Sequence, residues 1–591
     1  MNEKLHAITD KILRMANRYP MVLTVSLIGA LSAVTLIKNE DRELFNVAKL
    51  LIVSLLGISL FFGINIFSQR NGKEWFLNIA GVLFLGLIYF ILPDKERDFT
   101  EVYAFLLIPL FILSHLFVSF AAYLKNKNES KFWHFNKNLL INLFLTAVFT
   151  GVLALGLVLA IMAADNLFEF NLKENIYGQT LTFTGIIGST LIFLLFSENG
   201  LSELENRHDY PAVLKFFTQF ILIPLLIIYL VILYFYTAKI ILQRELPRGW
   251  VSYLILAYSV VGILANLLVY PLKNEKTKSW VQIFSKIFYY TLLPLLALLF
   301  TAIFTRILEY GYTEPRYFVL LIALWLTVVV FYNLFAPHPR IKFIPQSLFV
   351  FGVFALTVPY LNAFAVAKRS QKTEFTKVLV DENLLKNGKI NFNKRLEYKT
   401  YDELSSKFGF LADRKAVEAI YPYLEKESIA NIENKLNNGP VETKSTFQSL
   451  FKNVSFVEAA SQNFLRIKRP ETALATEDYL YILPVSHNSE ASWSVEGKKI
   501  TYKYRELKNE LDFSVSLEDE SSLKIYNLDP FLQSVLRRNQ HRRGNADDPL
   551  SHTFSLDNLS FKIYLNSVHV TRMPEKEHTN IEGAVILIKR K

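Results

Sequence analysis

The chain has 591 residues, 52% of them hydrophobic and 20% charged, with no cysteine and a formal net charge of +11. The missing thiols exclude disulfides, thiolate metal sites and cysteine nucleophiles. The basic excess lies mostly in short loops between long apolar runs, and no basic patch carries a nucleic-acid motif, so it points to a bilayer surface and not to nucleic acid.

Residues 1–20 are expected to form an amphipathic helix. Leu5, Ile8, Ile12 and Met15 fall on one stripe at helical spacing, with Lys4, Lys11, Arg14 and Arg18 elsewhere around it. Such a helix fits either the headgroup layer of a membrane or solvent ahead of the first span. A cleavable signal peptide is not expected, because the stretch ahead of the first apolar run is long for an n-region.

Eleven apolar stretches follow within residues 21–369. They are Met21 to Ile37, Ala48 to Phe67, Trp75 to Leu92, Val102 to Leu124, Asn138 to Ala163, Thr180 to Ser197, Ala212 to Tyr236, Trp250 to Leu272, Trp280 to Phe304, Arg316 to Phe335 and Phe343 to Phe364. Most reach the length that crosses a bilayer, about 20 residues. Backbone groups in lipid must be satisfied within the segment, so each is expected to be a helix. The first and sixth are the weakest, one being short and the other rich in Thr and Gly. Trp75, Trp250 and Trp280 stand at span starts, where indoles prefer to lie.

With the N-terminus inside, about 16 basic loop residues fall on the inner side and about 11 on the outer. That bias favours a cytoplasmic N-terminus in the inner membrane, and an odd span count then sends the C-terminal domain outside. Lys368, Arg369 and Lys372, just past the last span, run against this.

The remainder is expected to be a soluble α+β domain. Residues 370–470 are mainly helical in pattern: Tyr401, Leu404, Phe408 and Leu411 recur at helical spacing, as do Ile429, Ile432 and Leu436. Residues 471–591 alternate, with strands expected over Lys499 to Tyr504, Leu511 to Leu517, Leu559 to Leu565 and Ile581 to Ile588. Arg537 to Asp548, containing Arg537, Arg538, Arg542, Arg543 and Gly544, is expected to be a basic loop. The fold class is therefore a polytopic α-helical membrane bundle of about 11 spans followed by a soluble α+β domain.

Three spans share a proline-centred pattern: Phe105-Leu-Leu-Ile-Pro109, Phe220-Ile-Leu-Ile-Pro224 and Tyr290-Thr-Leu-Leu-Pro294. A proline inside a helix removes one hydrogen bond and bends it. Repeated, interrupted helices occur in secondary transporters, although Leu-Pro-Leu also arises readily in Leu-rich spans. Tyr310-Gly-Tyr-Thr-Glu-Pro-Arg-Tyr317 follows one span and opens the next, with Trp280, Phe284, Phe288 and Leu293-Pro-Leu ahead of it. Together with Phe220 to Tyr236 and, weakly, Leu384 to Ile390, this arrangement resembles the bacterial multi-pass membrane family called domain of unknown function 4153. The resemblance implies a multi-pass membrane protein and brings no catalytic residues to this chain.

The densest polar cluster near the membrane is Arg306, Glu309, Tyr310, Gly311, Thr313 and Arg316. Arg306 and Glu309 are three apart and can pair on a helix, Gly311 can turn the chain, and Pro315 fits the first turn of the next helix. Either arginine could bind a phosphate or carboxylate; equally, both could anchor helix ends in a structured turn. Asp165 and Glu169 are four apart and share a face if their helix continues, as two acids or a cation site would need. His115, Asn142, Gln219, Asn266 and Asn333 are polar positions within or near spans, best explained by hydrogen bonds between helices. His487, His541, His552, His569 and His578 lack zinc spacing. Walker A, Gly-x-Gly-x-x-Gly, His-Glu-x-x-His and Gly-x-Ser-x-Gly motifs are absent, and no cofactor or metal is expected.

Three functions remain open at this point. The leading one is an envelope scaffold or signalling protein with no catalytic role, whose partners are the lipid bilayer and envelope proteins met through the C-terminal domain. The others are a transporter or flippase for a lipid-linked or small anionic substrate, and a membrane enzyme of envelope precursor metabolism with Asp165 and Glu169 as its acids. The oligomeric state does not follow from the sequence.

Overall fold

The computed structural model describes residues 2–591 apart from 39–43, 127, 207–209, 244–249, 275–278, 437–438, 456–463, 469–478, 486–489, 508–509, 520–521, 539–543, 546–549, 574–575 and 582. The chain forms two units, Met1–Val454 and Ser455–Lys591.

In the first unit, α1 (Asn2–Arg18) precedes α2 (Pro20–Lys38), α3 (Phe45–Asn71), α4 (Glu74–Ile91), α5 (Glu101–Phe120) and α6 (Glu129–Phe168). The sixth span is α7 (Asn175–Phe183) and α8 (Ser189–Leu195), joined by a π-helical segment, Thr184–Gly188. After α9 (Leu201–Asn206), the seventh is α10 (Ala212–Phe216) and α11 (Ile223–Gln243), joined by a second π-helical segment, Phe217–Leu222. Pro224 stands just after that segment, where its missing N–H removes a helical bond. Then come α12 (Trp250–Leu268), α13 (Ser279–Tyr310), α14 (Glu314–Phe335) and α15 (Phe343–Thr357). Among the described residues ten helices are long and apolar enough to cross a membrane, including the first and sixth expected spans.

The eleventh expected span is different. Its helix, α15, stops at Thr357 after 15 residues, and α16 (Ala363–Asp381) begins anew. Val358 is extended because Pro359 follows it, and Tyr360 takes a positive φ of 63°. Fifteen residues make about 22 Å of helix, short of a hydrocarbon core of about 30 Å. Yet α15 runs from one end of the bundle to the other. At its start Lys342 Nζ donates to the carbonyls of Tyr123 and Asn126, just past α5. Beyond its end, Tyr317 OH at the start of α14 donates to Leu361 O. Those are opposite ends, because the starts of α5 and α14 meet the same guanidinium, that of Arg414.

Two apolar cores hold the bundle. One gathers buried residues of α1–α6, α8 and α9, such as Met15, Phe62, Tyr123 and Leu204; the other gathers α11–α15, around Leu292, Leu299 and Leu326. Tyr210 and Leu267 pack against both. Of the expected N-terminal stripe, Met15 is buried while Ile12 is half exposed, and Lys11 and Arg14 lie 3.7 and 3.9 Å from Glu198.

The remainder of this unit has β1 (Leu385–Lys386) paired with β2 (Lys389–Ile390), β3 (Leu396–Glu397), α17 (Tyr398–Asp413), α18 (Lys426–Leu436) and α19 (Pro440–Ser449), with β4 (Val454–Ser455) at the boundary. Leu404, Phe408, Leu411 and Ile432 are buried on the expected faces, with Phe375 of α16 and Phe447 of α19 in the same core.

The second unit is built on three four-stranded sheets. One has the order β10-β9-β8-β7, from β7 (Glu490–Val495), β8 (Lys498–Leu507), β9 (Glu510–Glu518) and β10 (Leu523–Asn527). Another orders β12-β13-β16-β6, from β6 (Tyr481–Val485), β12 (Ser551–Leu556), β13 (Leu559–Leu565) and β16 (Ala584–Arg590). The third comprises β5 (Phe464–Lys468), β11 (Gly544–Asn545), β14 (Ser567–Met573) and β15 (Lys576–Ile581). The first two sheets and α20 (Asp529–Arg538) share one core, with Ile500, Val515, Leu532, Phe561 and Ile586 fully buried. The expected basic loop is partly regular: Arg537 and Arg538 end α20 and Gly544 pairs in β11, while Arg542 and Arg543 lie outside the described residues. His487 and His541 also lie outside them.

Candidate functional site

The turn between α13 and α14 is built from the residues singled out in the sequence. Gly311 ends α13 with φ +74°, its N–H returning to Ile307 O at 2.8 Å. This is the left-handed conformation that glycine adopts without strain. A Cβ there would also come within 2.9 Å of Ser370 Oγ and 2.8 Å of Glu374 Cγ. Thr313, extended, stands at the N-cap of α14 without a side-chain capping bond, and Pro315 occupies the first turn. The turn's polar backbone is held from α16: Ser370 Oγ accepts from Tyr312 N at 2.8 Å, and Gln371 Nε2 donates to Tyr310 O and Tyr312 O at 2.9 and 3.0 Å. Arg316 Nη1 donates to Gly311 O and Tyr310 O at 2.8 and 3.2 Å.

Two guanidinium groups flank one exposed ring. Arg316 lies 5.3 Å and Arg306 5.9 Å from the centroid of Tyr310, and Glu309 lies beside the Tyr310 hydroxyl. Arg306, Glu309, Tyr310, Gly311 and Arg316 thus come together, with Thr313 closing the turn. Chemically the arrangement gathers two cations and one carboxylate around a single tyrosine ring.

Sequence reasoning missed the strongest partner of this turn. Glu314 is fully buried and takes a bidentate pair from Arg414, itself 3% exposed: Nε to Oε1 at 2.7 Å and Nη2 to Oε2 at 2.6 Å. Arg414 also donates to Phe410 O at 2.9 Å, covers the Phe410 ring at 3.3 Å and lies 3.9 Å from Glu101. Nearby, Thr100 Oγ1 donates to Asp413 O, and Lys415 Nζ lies 3.4 Å from Asp98. Burial pushes the Asp413 carboxyl above the usual carboxylate range. Glu314 stands inside the Tyr310–Tyr317 element, which was a usable signal; Arg414 carries none, being 100 residues away.

The carboxylate pair does not converge on a shared helix face. α6 ends at Phe168, and Glu169 turns left-handed at φ +52°. Asp165 is instead bound to its own loop, accepting from Leu172 N at 3.0 Å and Tyr177 OH at 2.9 Å. Among the described residues no three His, Asp or Glu side chains are grouped as a metal ion would need.

Of the polar positions in the spans, Asn142 bridges helices, donating to Phe196 O at 3.3 Å. His115 and Asn333 bond back to their own helices, at Phe111 O and Val329 O. At the far end of the bundle, the buried Glu205 gathers Arg70, Tyr123 OH at 2.6 Å and Lys131 at 3.6 Å, joining the ends of α3, α5, α6 and α9. Every group here is paired, which describes a structural hub.

No solved structure matches the chain. An uncharacterized protein of Pasteurella multocida (strain Pm70) is 26% identical over 384 residues. The match takes in 64% of this chain and 62% of that relative's length. Residues 25–389 match the family model described as Domain of unknown function (DUF4153). That stretch carries all but the first few residues of the spans and the Tyr310–Tyr317 turn, and the chain belongs to this family of multi-pass membrane proteins.

Proposed function

We propose that this protein is a non-enzymatic scaffold of the inner membrane, with its N-terminus cytoplasmic and residues 363–454 held as a fixed platform on the other face for envelope partners. One observation carries the reading: the buried Glu314–Arg414 pair locks α17 to the turn between α13 and α14. Loss of either partner of such a pair strands a buried charge, so the pair favours one placement of α17. The depth-spanning course of α15 and the basic bias of the loops support the sidedness. The test is a pair of reporter fusions, one at each terminus, combined with cross-linking of the intact chain in cells. An extracytoplasmic signal at Lys591, a cytoplasmic one at Met1 and specific envelope partners are expected. Signals on the same side, or loss of Arg414 leaving every cross-link intact, would overturn the proposal.

A second reading, transport of a small anionic or lipid-linked substrate, draws on the π-helical segments that interrupt the sixth and seventh spans and on the Arg306–Arg316 pair. Uptake or flipping by reconstituted protein, lost in Arg316→Ala and Arg306→Ala, would favour it over the scaffold.

A further inference from the structure

α3, α4, α5 and α15 enclose a groove of about 560 Å³. Its floor is formed by buried residues of α3 and α5, Leu56, Ile64 and Leu113 among them. One rim is α4, whose Phe84 and Leu87 are exposed; the other is α15, through Val353 and Leu356. Two glycines set the shape. A Cβ on Gly81 would come within 2.8 Å of Phe61 and 2.9 Å of Ile64, and one on Gly352 within 2.7 Å of Leu113. Each rim therefore sits directly on the floor, while the rims themselves stay apart.

We propose that this groove is a binding site for one acyl chain of a membrane phospholipid. Its lining asks for hydrocarbon. The polar side chains in it are Ser114 and Thr357, and both are already satisfied: Ser114 Oγ meets Ser59 Oγ at 2.7 Å and Phe111 O at 2.8 Å, and Thr357 Oγ1 donates to Val353 O at 2.8 Å. The protons of both hydroxyls are already engaged, so the lining offers little to a polar ligand, and water does not fill an apolar cavity. The rim continues into the exposed apolar face of α4, with Val82, Leu83 and Phe90, so the groove opens where a bilayer lies. The groove is narrow enough for a single extended hydrocarbon chain, while a helix of a second chain, about 10–12 Å across, would reach it with side chains only. Hydrocarbon gains no hydrophobic free energy on leaving lipid for the groove, so retention comes from packing contacts along both walls. The bound chain fills the space beside α15 and supports the short crossing that leads to α16.

The test uses the full-length protein in vesicles of phosphatidylethanolamine and phosphatidylglycerol, doped with a phospholipid bearing a mid-chain diazirine. After irradiation, adducts are expected to concentrate on Ile64, Leu110 and Val353, and the lipid is expected to survive transfer into detergent. Filling the groove with Ala80→Trp and Val353→Trp together is expected to lower that labelling several-fold, while Leu83→Trp on the outward face leaves it unchanged. If the double variant does not fold, Val353→Trp alone gives the same comparison. Adducts spread evenly over all exposed apolar faces, groove labelling unmoved by the tryptophans, or cross-links between two copies through the groove would each overturn the site.

Discussion

Glu314 and Arg414 face each other through two parallel hydrogen bonds of 2.7 and 2.6 Å, with neither side chain more than 3% exposed. One opens a membrane helix and the other closes a helix of the mainly helical segment, so a single pair fixes where that segment stands. Removing one partner strands the other charge in the interior, which costs about 3–5 kcal/mol. Arg414→Ala and Glu314→Ala are each expected to free α17, read as faster proteolysis across residues 398–424 with the spans still intact. Replacing both, as Glu314→Gln with Arg414→Met, is expected to cost less than either single change. A double variant worse than both singles would show that the pair is not what holds α17.

Gly311 makes a second, independent demand on the same turn. Alanine there must adopt φ +74° and push into Ser370 and Glu374, so Gly311→Ala is expected to cost about 1–3 kcal/mol. Arg316→Lys keeps the charge but loses the planar guanidinium whose Nη1 reaches both carbonyls and which lies over the Tyr310 ring, and is expected to lower stability by about 1 kcal/mol. Thermal unfolding of the purified protein checks both, and lysine behaving as wild type would reduce Arg316 to a charge.

How far the chain could be read in advance follows from the range of each interaction. Spans show in sequence because crossing a bilayer needs a long local apolar run, and the Arg306–Arg316 cluster showed because its members lie within one turn and the two helix ends beside it. The reading of Asp165 with Glu169 rested on a helix continuing past Phe168; the positive φ values of Glu169 and Asn171 end it first. The break at Val358 was written in Pro359, but apolar residues on both sides of it masked the stop. Arg414 could not be found at all, because nothing local marks an arginine whose partner is 100 residues away.

In the strand-rich unit, His552 Nε2 meets Tyr526 OH at 3.0 Å and its ring stacks on Phe531 at 4.9 Å. Burial lowers its pKa, so the folded unit favours the neutral ring. The unfolded chain then binds more protons as pH drops through the ordinary histidine value, about 6.5. This contribution is fully present above that value and is lost as pH falls toward the lower folded pKa. Hydrogen exchange over residues 551–565, corrected for intrinsic rates, is expected to show protection falling between about pH 7 and pH 5. His552→Phe is expected to flatten that slope while keeping the stack. An unchanged slope would assign the pH response to other groups.

Lys342 gives the clearest test of how a 15-residue helix is held between the two ends of the bundle. Its ammonium is buried and donates to Tyr123 O at 3.1 Å and Asn126 O at 2.8 Å, carbonyls left open where α5 ends. Ile341 N, one residue earlier, donates to Glu129 Oε2 at 3.0 Å. The start of α15 is therefore fastened to the end of α5 and the start of α6, while Tyr317 OH holds Leu361 beyond its other end at 2.6 Å. Lys342→Met keeps the apolar stem and removes two charge-assisted bonds, an expected loss of about 3 kcal/mol. Tyr317→Phe removes one neutral bond, about 1 kcal/mol. The two tethers stand at opposite ends of the helix and share no partner, so their effects should add. Thermal unfolding of the single and double variants measures this, with cleavage at residues 358–362 as a local readout. A double variant no worse than Lys342→Met would mean that the far tether forms only when the near one is in place, making α15 a single cooperative strut.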